Sequence, residues 1–201
     1  MSSSQPAPSS PPDQSDDTSS GSDNPDIRQQ VDQGRGTLKK LQLMIPGLRG
    51  YRSKEDIRVS DDLLRNQVAD KIDLSKSNLE SVRKQMVLAG DFTNLTTVGS
   101  LISQFQQFSG EVRHSQQGYS GFAATFQFTD ARLNSLYEYD YAFVNAAIAL
   151  VNNTSPPSLT YDPTSPAAVQ PQLQKLQALV SDFKLKWSQR IEAVENILQA
   201  H

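Results

Sequence analysis

The sequence predicts an all-α fold, namely a bundle of four to five antiparallel helices that follows a disordered N-terminal tail. Apolar residues recur at spacings of three and four along most of the chain, which is typical of helices with one buried face. Strand-like alternation of apolar and polar side chains is confined to short stretches such as 183–188. Short segments rich in Gly, Pro and Ser separate most of the helical stretches.

The first 26 residues differ in composition from the rest of the chain. They contain no Val, Ile, Leu, Phe, Tyr or Trp and consist mainly of Ser, Pro and Asp. Such a segment buries too little apolar surface to offset its ordering entropy, so we expect residues 1–26 to be disordered. This tail holds five of the 22 acidic residues and none of the 19 basic ones. Residues 27–201 are therefore close to neutral, and their net charge identifies no partner.

Two helices are predicted before residue 90. Residues 24–26, Asn-Pro-Asp, predict a helix start with Asn as the cap and Pro at the first helical position. The apolar spacing continues over 27–45, and Pro-Gly at 46–47 ends the helix. A second helical pattern covers 54–89, and Gly90 ends it.

A third helix is predicted near residues 95–116. The aromatic and Gly-rich stretch 117–128 is expected to be an ordered loop between helices. A fourth helix begins at Thr129 and continues to about residue 152. We therefore assign residues 27–152 to the core of the bundle.

The last part of the chain is a Pro/Ser-rich linker at 153–168 and an amphipathic helix within 169–201. The apolar residues of this helix form a near-heptad seam of the kind found in coiled coils. The helix can pack on the bundle or on a partner. We expect a protein partner or self-association through residues 169–198. The seam consists of Val169, Leu173, Leu176, Val180, Phe183, Trp187, Ile191, Val194 and Leu198.

The composition argues against most enzyme classes. There is no cysteine, which excludes disulfides, cysteine zinc sites, thiol nucleophiles and iron–sulfur clusters. The only two histidines are His114 and His201, so a multi-histidine metal site is excluded as well. The phosphate-binding motif GxxxxGK[ST] and the nucleophile motif GxSxG do not occur. We therefore expect a protein that is not an enzyme and that uses no cofactor or metal.

The sequence carries no recognisable targeting segment. Its start is polar and acidic, unlike the basic and apolar start of a secretory signal. The longest apolar stretch, residues 142–151, is interrupted by Asn145 and is far shorter than the ~20 residues that span a bilayer. We expect a cytoplasmic protein without a transmembrane segment.

A basic segment occupies residues 35–54, with six basic residues and no acidic one around a Gly-rich connector. Such a segment can receive phosphate groups from nucleic acid or from anionic lipid. The alternative is a solvated surface whose charge is neutralised by Glu55, Asp56, Asp61 and Asp62, which follow at once. The candidate anion-binding residues are Arg35, Lys39, Lys40, Arg49, Arg52 and Lys54.

Asp140 is the unusual residue of the fourth helix, because the apolar pattern places it beside Tyr137 and Tyr141 and directs it towards the core. An unpaired buried carboxylate is costly, so Asp140 needs a partner. We expect a structural ion pair with Arg58 or Arg65 of the second helix. The alternative is a catalytic carboxylate that works with Arg58 and Tyr137 in a cavity of the bundle.

Two segments resemble a known family. Residues 45–65 read IPGLRGYRSKEDIRVSDDLLR, and residues 118–140 read GYSGFAATFQFTDARLNSLYEYD. They are similar to a family of uncharacterised bacterial helical proteins with an IPGxxGYxxKExRxxDxLLR-like signature and a LYEFD-type helix. The resemblance implies a helical bundle in which the connector, Arg58, Arg65 and Asp140 are fixed features, and it implies no activity. The linker after the fourth helix has no counterpart in that pattern.

These observations favour a non-catalytic helical scaffold or adaptor that mediates protein–protein interaction. The alternative is a peripheral anion binder, for nucleic acid or an anionic membrane surface, that acts through residues 35–54. Because the acidic tail and the basic segment carry opposite charges, the tail could also mask the segment.

Overall fold

The structure is a computed structural model that describes residues 27–50, 54–115 and 129–199, with side chains placed over 36–50, 56–115 and 131–196 and at Thr129. The described residues form five α-helices and no strand, so the predicted all-α bundle is confirmed. The expected disordered tail and the expected loop at 117–128 lie outside the described residues. The helices are α1 (Ile27–Met44), α2 (Lys54–Leu88), α3 (Leu95–His114), α4 (Asp130–Thr154) and α5 (Gln170–Gln199).

The helices end close to where the sequence places their boundaries. Gly90 follows α2 with a φ of 70°, the left-handed conformation that ends helices and that glycine adopts without strain. Thr129 caps α4, and its side chain accepts a hydrogen bond from the backbone N–H of Arg132 at 3.4 Å. A 3₁₀ turn, Pro166–Val169, leads into α5.

The packing of the helices places α4 at the centre of the bundle. It contacts α1, α2 and α5, while α2 and α3 form an antiparallel helical hairpin. The apolar faces of these helices meet in one core, and its largest buried side chains include Phe105, Phe143 and Trp187. Among the described helices we find no segment with the length and hydropathy of a transmembrane span.

The α5 seam closes the bundle from within. Phe183 packs between Phe108 of α3 and Phe143 of α4, with ring centroids 5.7 and 5.2 Å away. The sequence left open whether this helix packs on the bundle or on a partner, and in the structure its seam packs on the bundle, chiefly against α4. The buried members of the seam are Val169, Leu173, Leu176, Val180, Phe183, Trp187 and Val194.

The Pro/Ser-rich linker is attached to the bundle along its length. Leu159 is buried in the core. The side chain of Asn78 donates a hydrogen bond to the Ser155 hydroxyl at 3.2 Å, and Gln172 accepts one from the backbone of Thr160 at 3.0 Å. The linker therefore packs against α2 and α5 instead of separating α5 from the core.

Candidate functional site

Four ionisable side chains are buried together where α2, α4 and α5 meet. Asp61 and Arg65 lie one turn apart on α2, Asp140 lies on α4, and Arg190 lies on α5; their exposed fractions are 1%, 7%, 0% and 0%. We call these four residues the charge cluster. Each occupies a position on the apolar face of its helix, so folding of the bundle takes all four out of water together.

The hydrogen bonds of the charge cluster run across the helices. Arg190 donates from Nε to Oδ1 of Asp140 at 2.6 Å and from Nη2 to Oδ1 of Asp61. The other oxygen of Asp61, Oδ2, accepts from Nε of Arg65 at 2.8 Å. Two carboxylates and two guanidinium groups balance, so the cluster carries no net charge. Buried ions are tolerated when paired and hydrogen-bonded in this way.

Arg65 extends the cluster to the end of α3. Its Nη1 donates to the backbone carbonyls of Val112 at 3.4 Å and Arg113 at 3.3 Å, and its Nη2 donates to the carboxylate of Asp62. Carbonyls in the last turn of a helix lack intrahelical donors. Arg65 thus donates hydrogen bonds to α3 and to Asp61. Together with the bonds of Arg190, these contacts link α2, α3, α4 and α5 in one network.

Aromatic rings form one wall of the charge cluster. The guanidinium of Arg190 lies 5.8 Å from the ring centroid of Phe143 and 5.9 Å from that of Trp187. These two rings stack with centroids 5.0 Å apart. The indole N–H of Trp187 donates to Glu111 of α3 at 2.9 Å. The guanidinium that bonds both carboxylates is therefore also within cation–π range of two rings.

The predicted partner of Asp140 requires correction. Arg58 is exposed, and Arg65 is bonded to Asp61 and Asp62, whereas the arginine that meets Asp140 is Arg190. The reason is that α5 packs directly on α4 and brings its own cation into the core. A sequence signal did exist, because Arg190 stands three residues after Trp187 and four before Val194 and so shares their face.

The two segments that carry the family resemblance contribute to this one cluster. Residues 45–65 supply Asp61 and Arg65, and residues 118–140 supply Asp140. Sequence reasoning did not single out Asp61 as buried and did not identify Arg190 at all.

The described cations of the basic segment lie on the surface. Lys39, Lys40 and Arg49 are exposed, while the side chains of the other three candidates, Arg35, Arg52 and Lys54, lie outside the described residues. The ammonium of Lys40 sits 5.5 Å from the ring centroid of Tyr141. Among the described salt bridges, none involves Lys39, Lys40 or Arg49.

Tyr161, in the linker beside the α2–α3 turn, is a second polar residue of interest. Burial, and then the neighbouring carboxylate of Asp91, raise the pKa of the Tyr161 hydroxyl above its ordinary value of 10.0. Tyr161 also lines a cleft of about 380 Å³ between α2 and the linker, together with Asn78, Gln85 and Thr154. Among the described residues that line the cleft, none has a charged side chain, so this lining offers no group suited to acid–base catalysis near neutral pH.

The described residues include no group of three or more His, Asp or Glu side chains arranged to hold a metal ion. His114 lies exposed in the last turn of α3. Comparison of the chain with protein-family models, with curated proteins and with solved structures found no match.

Proposed function

We propose that this chain is a non-catalytic helical scaffold or adaptor that mediates protein–protein interaction. The supporting observation is that the buried ionisable groups are used to join helices. Asp140, the candidate catalytic carboxylate, is fully buried and bonded to Arg190, so a substrate has no access to it. A body whose helices are linked by buried charge pairs holds its outer surfaces in fixed relative positions, which is what an adaptor requires.

The proposal places the partner surface on the outer face of α5, since the seam is already covered. Leu185 is half exposed on that face, beside the exposed Lys184 and Asp182. Protein–protein interfaces combine an apolar centre with a polar rim. A partner that uses residues 169–198 therefore contacts this polar face rather than the seam.

A capture experiment with the full chain as bait tests this proposal. Wild type is expected to retain a discrete set of proteins that survives nuclease treatment. Leu185→Asp, on the proposed face, is expected to lose that set, whereas Leu74→Asp, an equally exposed leucine of α2, is expected to keep it. Retention of the same proteins by Leu185→Asp would contradict the assigned surface, and the absence of any stable partner would contradict the adaptor role.

A second candidate function, anion binding through residues 35–54, is favoured by one specific observation. Two of the acidic residues that could neutralise the basic segment are committed elsewhere. Asp61 is buried against Arg65 and Arg190, and Asp62 is bonded to Arg65. Lys39 and Arg49 are therefore not neutralised by either of these two carboxylates.

Anion binding is tested by titrating the chain with a nucleic-acid duplex at several salt concentrations. The affinity is expected to fall steeply with salt. Lys39→Ala/Arg49→Ala is expected to weaken binding about tenfold or more at low salt. Lys175→Ala/Lys184→Ala removes two exposed cations from α5 and serves as the matched control. Equal loss in both double variants would indicate non-specific attraction and would contradict a dedicated basic segment.

A further inference from the structure

In and beside the turn between α2 and α3, large apolar side chains are exposed and polar side chains are buried, which is the reverse of the usual arrangement. Val87, Leu88 and Phe92 are 50%, 78% and 70% exposed, whereas Asp91 and Asn94 are buried. We call Val87, Leu88 and Phe92 the hairpin tip. Large apolar side chains grouped on an exposed surface commonly mark an interaction site.

The conformation that exposes the hairpin tip is fixed by hydrogen bonds. The backbone N–H of Asp91 donates to the carbonyl of Met86 at 3.0 Å, and the Asp91 carboxylate accepts from the N–H of Thr93 at 3.0 Å. Asn94 donates to the carbonyl of Pro166 at 3.5 Å, which ties the turn to the start of α5. Because the polar groups are held inward, Leu88 and Phe92 remain outside.

Two basic residues stand one helical turn behind the hairpin tip. Arg83 and Lys84 are exposed and precede Val87 and Leu88 by four residues, so each cation shares a face of α2 with an apolar tip residue. Neither takes part in a described salt bridge, and the nearest exposed carboxylate on α2, Glu80, lies a further turn away from the tip.

This layout has the dimensions of a membrane interface. Four residues of an α-helix advance about 6 Å along its axis, which separates the cations from the apolar tip. Apolar groups of interfacial proteins enter the boundary of headgroups and acyl chains by about 5–10 Å. When Leu88 and Phe92 reach that depth, Arg83 and Lys84 lie at the level of the headgroups, where anionic lipid attracts them.

We propose that the hairpin tip docks reversibly on an anionic lipid surface, with Leu88 and Phe92 entering the bilayer boundary and Arg83 and Lys84 contacting the headgroups. The shape of the site argues for this occupant, since the apolar side chains stand at the turn of a helical hairpin. The proposal is independent of the adaptor function and of the basic segment, which lies near the other end of α2.

Co-sedimentation of the full chain with lipid vesicles tests this proposal. The chain is expected to bind vesicles of phosphatidylcholine mixed with phosphatidylglycerol, to bind phosphatidylcholine alone only weakly, and to dissociate at high salt. Leu88→Ser/Phe92→Ser is expected to weaken binding at least about tenfold. Val59→Ser/Leu74→Ser removes two half-exposed apolar residues elsewhere on α2 and is expected to bind like wild type.

Charge variants separate the hairpin tip from the basic segment. Arg83→Gln/Lys84→Gln is expected to lose the preference for phosphatidylglycerol, while Lys39→Ala/Arg49→Ala keeps it. The reverse result would assign lipid binding to residues 35–54 and overturn the proposal, as would a wild-type chain that binds neither vesicle. Circular dichroism and size-exclusion chromatography with light scattering accompany each variant. A tip variant that only converts a dimer to a monomer, without change in vesicle binding, would identify a second copy as the occupant instead.

Discussion

At the end of the bundle where α3 finishes, four ionisable residues lie in the core, while at the α2–α3 turn large apolar residues lie in solvent. The first arrangement is costly unless each ion meets its counter-ion, and Asp61, Asp140 and Arg190 do meet. The second leaves apolar area in water without any gain to folding. Buried charge thus contributes to which helices pack together, whereas exposed apolar surface contributes nothing to the fold and is available for binding.

Removing the central cation is expected to have the largest effect on stability. Arg190→Ala leaves the buried carboxylates of Asp61 and Asp140 without their shared counter-ion, so we expect the free energy of unfolding to fall by about 3–5 kcal/mol. Arg113→Ala is the matched control, because Arg113 also contacts two aspartates, Asp70 and Asp73, but on the surface. Its cost should not exceed about 1 kcal/mol. Urea denaturation of both variants measures the difference; equal losses would show that burial does not set the cost.

Replacing the aromatic wall of the cluster is expected to have an intermediate effect. Trp187→Phe keeps a ring against Arg190 but removes the N–H that donates to Glu111 and leaves part of the buried indole volume empty, so we expect a loss of about 2–3 kcal/mol in unfolding free energy. Glu111→Gln retains an acceptor oxygen and is expected to be close to neutral. A larger loss in Glu111→Gln than in Trp187→Phe, measured by thermal unfolding, would mean that charge rather than the hydrogen bond matters.

In the turn between α2 and α3, we expect substitutions to change stability mainly through the backbone conformation of Gly90. Gly90→Ala is expected to cost about 1 kcal/mol, because Gly90 has a φ of 70° and nothing lies within 4 Å of the added methyl group. Gly99→Ala, in the interior of α3 with equally open space, is expected to stabilise by about 0.5–1 kcal/mol. Chemical denaturation of the two variants tests whether their effects on stability have opposite signs. A stabilising Gly90→Ala would show that the turn tolerates another conformation.

The smallest expected effect concerns proton binding beside the hairpin tip. Burial and Asp91 raise the pKa of Tyr161, so the folded chain favours the neutral phenol. Its contribution to stability is complete below the ordinary pKa of 10.0 and is lost as pH rises through the raised value. Asp91→Asn is expected to lower the pKa of Tyr161, as read from ultraviolet titration against a Tyr161→Phe reference. An unchanged pKa would show that Asp91 does not contribute and would leave burial and Asp162 as the causes.

Most of the helical architecture was predictable because it depends on local patterns. The predicted ranges 54–89 and 95–116 correspond to Lys54–Leu88 and Leu95–His114. Gly90 and Thr129 marked helix ends through their own backbone and side-chain chemistry. These signals act within one or two helical turns, so they do not need the rest of the chain.

The candidate site was predictable only in part. The periodicity placed Asp140 in the core and required a cation for it, but it pointed to Arg58 or Arg65 on α2. The choice of Arg190 depends on α5 packing against α4, which joins residues 50 positions apart. No pattern within one helix encodes such a contact.

Residue spacing and composition alone establish that this chain is helical, where its helices begin and end, and that it lacks thiols and paired histidines. Tertiary packing decides the rest: that the α5 seam is covered, that Asp61 and Asp140 share Arg190, and that Leu88 and Phe92 face outward. The physical reason is the separation along the chain over which each kind of interaction acts. Helix formation depends on hydrogen bonds and caps a few residues apart, whereas burial and charge pairing depend on which distant surfaces meet, and that is settled only when the whole core assembles.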